Sequence, residues 1–221
     1  LISVVYELFL RGPFAGQLFA GSETLEGFEE RCHLARIASY TDYPDTARSL
    51  VSASEHLLHL RLSSVGEHIQ KDLLIADLSG EDYREAKDDY DLCKAMSILA
   101  RSDHLAVLVD GAKLCMPDTR QQAFTDAQKL LRMCLDTGIL NAAALVQVIF
   151  TKWDIVEGSE KKESVLRFVE SKEMEFRTRF ETRLARISFH KVAARPPSCE
   201  AVLKMGHGLD TIVQDWTNEN Y

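Results

Sequence analysis

The sequence predicts an α/β fold built on a mainly parallel sheet, and three observations lead there. Apolar runs of strand length recur at 73–76, 105–109, 145–150 and 187–192, and most positions in them are Leu, Ile, Val, Ala or Phe. Segments with helical spacing separate them, at 81–100, 117–134 and 159–186. The 221 residues suffice for one full core but not comfortably for two, and no repeat, low-complexity tract or linker-like stretch divides them. Strands that alternate with helices pair in parallel through right-handed crossovers. Residues 1–221 are therefore read as a single domain.

Composition narrows the function classes. A hydrophobic content of 46% with 27% charged residues is that of an ordinary globule. The formal charge of −8 argues against non-specific nucleic-acid binding, which needs Lys and Arg against phosphates, so no direct nucleic-acid partner is expected. No apolar run approaches the roughly 20 residues of a membrane span, so no membrane partner is expected either. The five cysteines (Cys32, Cys93, Cys115, Cys134, Cys199) include no C-x-x-C pair and predict reduced, buried thiols in a cytoplasmic chain. His56 and His59 point to opposite faces of a strand, which makes a metal pair a poor reading.

In chain order, residues 1–10 are apolar at nearly every position, as in a helix buried against a sheet, and Gly12-Pro13 stops it. No basic segment precedes this run, so it reads as the rest of a helix whose start lies upstream rather than as a signal peptide. Residues 14–45 are irregular, broken by Gly16, Gly21 and Gly27, with a short helix around 25–37; residues 43–49 read as exposed loop. Runs 56–62 and 71–76, with turn residues at 63–67, predict an antiparallel hairpin. Within it, 73–76 reads as buried on both faces. A helix over 81–100 follows, with Tyr83, Ala86, Tyr90 and Cys93 at helical spacing. Next come a buried strand at 105–109 ending in Asp110-Gly111, and a helix opened by Pro117 and ended by Gly138. A strand at 145–150 leads into a long charged helix over 159–186, whose apolar stripe is Val165, Val169, Phe176, Phe180 and Leu184. A last strand at 187–192 and a closing helix at 208–216 complete the chain.

Two strand ends carry chemistry. Ligands of open α/β sheets sit beyond the carboxyl ends of the strands. Asp77, just past one such end, can hold Mg²⁺ through water, and Gly80 lets a backbone N–H approach a terminal phosphate. A tight strand-to-helix turn also accounts for Gly80. The second end is Thr151-Lys152-Trp153-Asp154. The Asp154 carboxylate can accept bonds from guanine N1–H and the C2 amine, a pairing that adenine does not offer. Lys152 can lay its stem along the base plane while Thr151 braces the loop. The alternative for Asp154 is a strand-end carboxylate capping the next turn.

In this order, Asp77-Leu78-Ser79-Gly80 and Thr151-Lys152-Trp153-Asp154 resemble the third and fourth guanine-nucleotide motifs of P-loop GTPases. Lys191-Val192-Ala193-Ala194-Arg195-Pro196 sits where those proteins carry the short fifth motif, and the resemblance assigns the Ala194 N–H to guanine O6. Glu81 occupies the place of the water-orienting Gln of Ras-like members. Glu cannot donate an amide N–H, so slow intrinsic hydrolysis is expected unless a partner helps; an acid near a helix start accounts for it equally well. The switch threonine that meets γ-phosphate and Mg²⁺ is assigned to Thr46, with Thr41 and Ser49 behind it. Arg48 is either an internal arginine finger or an ordinary loop residue.

Together with Ser102-Asp103-His104 through Asp110-Gly111, Gly206-His207-Gly208-Leu209 and Phe14-Ala15-Gly16, these segments resemble the bacterial TRAFAC-clade domains called double-GTPase type 2, found in conflict and anti-phage systems. The resemblance implies a three-layer, Ras-like P-loop fold with GTP/GDP and Mg²⁺ as ligands. It also implies other domains or subunits of a larger assembly as partners of a nucleotide switch. One departure stands out: no G-x-x-x-x-G-K-[ST] occurs in the sequence. The expectation is that this loop and the strand before it precede Leu1, leaving the domain N-terminally incomplete. A pseudo-GTPase scaffold without turnover is the alternative; an ATP-using P-loop enzyme fits T-K-x-D badly.

Overall fold

A computed structural model describes residues 1–35, 57–66, 69–76, 80–141, 143–196 and 202–218. In chain order the first elements are α1 (Ile2–Arg11), β1 (Gln17–Gly21), α2 (Leu25–Ala35), β2 (Leu57–Ser64), β3 (Gln70–Ala76), α3 (Gly80–Ala86), α4 (Tyr90–Ala95) and α5 (Ser97–Ala100). They are followed by β4 (His104–Asp110), α6 (Gly111–Leu114), α7 (Pro117–Asp136), β5 (Leu145–Thr151), α8 (Trp153–Glu157), α9 (Lys162–Phe180), β6 (Arg186–Lys191) and α10 (Leu209–Thr217). The chain divides into two units, one of Leu1–Ser79, Ala194–Cys199 and Lys204–Tyr221, the other of Gly80–Ala193 with Glu200–Leu203. The architecture is mixed α/β. The described strands form two three-stranded sheets, β1-β2-β3 and β4-β5-β6.

In the first unit, β2 pairs antiparallel with both β1 and β3. The expected hairpin is present, running from Leu57↔Ala76 to Ser63↔Gln70, with Ser63 and Ser64 belonging to the strand rather than the turn. Alternation along β2 buries Leu58, Leu60 and Leu62 on one face. His59, on the other face, is buried with its polar atoms engaged: Nδ1 accepts Glu23 N–H at 2.9 Å and Nε2 meets Asp72 Oδ1 at 2.8 Å. Helix α1 buries Val4, Val5, Tyr6 and Phe9, and the Tyr6 ring stacks on Phe28 of α2 with centroids 4.8 Å apart. His56 lies outside the described residues.

Two expectations fail here. The stretch read as irregular contains β1, bracketed by Gly16 at φ 80° and Gly21 at φ 143°. These glycines end a short strand, and the pairing slips in register between Phe19 and Gly21. Residues 73–76 are not buried on both faces: Leu74 is 65% exposed. Among the described residues β3 pairs with β2 alone, so this apolar run lies at a sheet edge.

In the second unit, β4, β5 and β6 are parallel and in continuous register, as alternation of strands with helices predicts. The middle strand β5 is buried from Leu145 to Phe150. One aromatic cluster ties α7 and α9 to this sheet: Phe124 meets Phe176 edge-on at 5.3 Å, and Phe176 meets Phe180 at 5.0 Å and Phe189 of β6 at 6.1 Å. Val165, Val169, Phe176 and Phe180 form the expected stripe of α9, and all are buried.

The helical segments are shorter than their periodicity suggests. Residues 81–100 form three pieces, because Asp89 caps a new start by accepting Leu92 N–H at 3.0 Å and Met96 leaves the helical region at ψ 73°. The segment 159–186 holds only α9, which ends at Phe180 and gives way to a turn through Arg183 N–H and the Phe180 carbonyl. Strand β4 is not fully buried, since Leu108 is 57% exposed; among the described residues β4 pairs with β5 alone. Cys32, Cys93, Cys115 and Cys134 are not in disulfides, and Cys199 lies outside the described residues. Burial, then the Cys93 sulfur 3.9 Å away, pushes the Cys134 thiol well up. Among the described residues no helix is long and apolar enough to cross a membrane.

Two outcomes follow from this packing. Phe176→Ala empties the middle of the aromatic cluster and should cost about 3–5 kcal/mol in urea unfolding. Glu7 of α1 is paired with Arg195 and Arg11. Burial raises its carboxyl, and the bonds and charges of Arg195 and Arg11 more than reverse that, holding it below the ordinary value of 4.5. A carboxyl lowered by folding stabilises above its unfolded pKa, and that contribution is lost as pH falls through the folded value. Glu7→Gln should therefore lower the melting temperature at neutral pH, and the gap to wild type should close as the buffer is taken down through and below 4.5.

Candidate nucleotide-base site

The carboxyl edge of the parallel sheet collects the most informative residues. Register sets Asp110 of β4 opposite Thr151 of β5, and Phe150 of β5 opposite Lys191 of β6. Beyond these ends the chain turns at Gly111, Lys152 and Val192. The turns are tied together: the Thr151 hydroxyl donates to the Val109 carbonyl at 3.3 Å, and Trp153 N–H donates to the Val192 carbonyl at 2.9 Å.

Gly111 is where this edge is tightest. A Cβ there would lie 2.3 Å from the Thr151 carbonyl oxygen and 3.0 Å from that of Lys152. Only glycine lets the two turns approach so closely. Lys152 in turn adopts a left-handed backbone, φ 51° and ψ 39°, uncommon for a residue with a side chain. Its ammonium meets Asp110 Oδ2 at 2.9 Å, and Asp110 Oδ1 accepts Ala112 N–H at 3.0 Å, capping α6.

Asp154 is the second residue of α8, while Lys152 holds the N-cap position, so Asp154 does not cap this turn. Its side chain is half-buried, and among the described residues no donor is bonded to its carboxylate. The neighbouring Trp153 is buried, its indole N–H donates to Glu157 at 3.0 Å, and the Lys191 ammonium lies 5.1 Å from its ring centre. The edge thus carries an open carboxylate two residues after a lysine whose ammonium is held by Asp110.

Gly80 is the first residue of α3, with open space where a Cβ would stand and no left-handed φ, so no contact among the described residues demands glycine there. Glu81 is exposed in the first turn of α3. Ala194 belongs to the first unit, where its carbonyl accepts Gly206 N–H at 3.0 Å. Asp77 and Thr46, and with them Thr41, Arg48 and Ser49, lie outside the described residues. Among the described residues no group of three or more His, Cys, Asp or Glu could hold a metal ion.

The sequence singles out Thr151, Lys152 and Asp154 but gives no role to Asp110 and Gly111. Their signal was present as an Asp-Gly pair at a strand end, and its meaning appears only when register sets it against Thr151. Gly111→Ala should cost roughly 1–3 kcal/mol through overpacking, read as a lowered urea midpoint.

A protein-family model described as Double-GTPase 2 matches residues 1–217. No curated protein and no solved structure matches the chain. The matched region runs through both units and contains every residue of the edge described above. The chain belongs to the Double-GTPase 2 family.

Proposed function

We propose that this chain binds guanine nucleotide through the carboxyl edge of its parallel sheet and serves as a GTP-hydrolysing switch. The family suggests nucleotide binding of the GTPase type. The observation that carries the reading is Asp154: a half-buried carboxylate left without a donor, next to a lysine held in a left-handed turn. Such a carboxylate fits guanine N1–H and the C2 amine, and a site built to bond those donors rejects bases that lack them. The stem of Lys152 covers the ring face, Thr151 braces the loop, and the Ala194 N–H meets O6.

At the phosphate end, the Gly80 N–H senses the γ-phosphate, Glu81 orients water, and Asp77 and Thr46 hold Mg²⁺. The ion, when bound, neutralises charge on the β- and γ-oxygens. In this reading residues 1–221 act as one GTPase-like domain of the three-layer, Ras-like P-loop type. The setting is a cytoplasmic, multi-domain TRAFAC protein of a bacterial conflict system, whose other domains or subunits read the nucleotide state. A scaffold without turnover is the second reading. It is favoured by Glu81, which cannot donate an amide bond to a water or a phosphate oxygen.

Competition titrations of the intact protein with GTP, ATP and XTP test the base reading. Asp154→Asn should reduce the preference for GTP over XTP roughly 100-fold or more, because Asn can donate to the C2 carbonyl of xanthine. An unchanged preference removes Asp154 from the base site. Phosphate release separates the two readings: tight GTP binding without turnover, alone or with any partner, leaves the scaffold.

A further inference from the structure

Asp110 has no part in the roles assigned above, yet both of its oxygens are engaged. Oδ1 holds the first turn of α6 through Ala112 N–H, and Oδ2 holds the Lys152 ammonium at 2.9 Å. The ion pair adds little to the fold, because the side chains of Lys152 and Asp110 are 55% and 30% exposed and a pair so placed is screened by water. Its effect is on direction. A lysine carries its charge on a flexible four-carbon stem that samples many rotamers when its tip is free. Here the backbone end is held by the bonds of Thr151 and Trp153 and by the approach of Gly111. With the tip held as well, the stem between them has a defined course.

We propose that Asp110 is a positioning residue that sets the course of the Lys152 stem across the purine ring face, an inference resting on the guanine-binding reading of this edge. The stem meets the face of the ring and not its C2 edge. Asp110 therefore governs how tightly purine nucleotides bind and leaves the choice among them to Asp154. Lys152 without its partner must lose its rotamer freedom on binding, instead of beforehand.

The test compares GTP with ITP, which lacks the C2 amine, in the intact protein and its variants. Asp110→Asn and Asp110→Ser both keep an acceptor for Ala112 N–H and lose the bond to Lys152. Each should weaken GTP and ITP by the same factor, roughly three- to tenfold. The GTP-to-ITP ratio should stay as in wild type, with the melting temperature within about 2 °C. Asp110→Glu, which keeps the charge, should recover part of the loss. Unchanged affinity in both variants overturns the proposal while Asp154→Asn still alters base preference, leaving the guanine reading intact. An affinity loss that tracks a matching fall in melting temperature overturns it as well, since Asp110 would then act only through the fold. If Asp154→Asn also leaves base preference untouched, both readings fall together.

Discussion

The approach of Gly111 to the Thr151 carbonyl shapes everything at the working edge of the parallel sheet. Two strands in register deliver two turns to the same place, and no side chain fits between them. That closeness lets Asp110 reach Lys152 and lets the Thr151 hydroxyl reach back to Val109. The turn after β5 then has little freedom left, and it adopts a left-handed residue that a looser loop would avoid. Behind this edge, the Phe124, Phe150, Phe176 and Phe189 rings join helices and sheet into one body, so the turns stand on a stiff base.

Charge on this edge is divided by position. Asp110 and Asp154 lie at the ends of adjacent segments, and only one of them has its acceptors occupied. Asp110 serves a backbone N–H and an ammonium. Asp154 is the second residue of α8 and does not cap it. An acceptor left open at a sheet's carboxyl edge is available to a ligand with donors. The family to which the chain belongs suggests nucleotide binding of the GTPase type.

The two sheets also show how far an apolar run can mislead. Leu73 to Ala76 and Leu105 to Val109 both have the composition of strands covered on both faces. In the structure each is the outermost strand of its described sheet, with Leu74 and Leu108 turned to the open side. Strand β5, of similar composition, is the one buried throughout. Composition measures what a strand tolerates; its place in the sheet sets what it meets.

Elements whose signal is local were legible from the residues alone. The opening helix, the hairpin of β2 and β3, the parallel strands at 104–110, 145–151 and 186–191, and the stripe of α9 follow from periodicity over a few turns or strand residues. That Thr151, Lys152 and Asp154 share one strand-end turn was legible as well, because they fall within four adjacent positions. Strand β1 was hidden by its glycines, and the breaks at Asp89 and Met96 by an unbroken helical period across them. The partnership of Asp110 with Lys152 and the demand for glycine at 111 were decided by tertiary structure alone. Strand register brings together residues 42 apart along the chain, and no local pattern encodes which carbonyl will stand opposite which Cα.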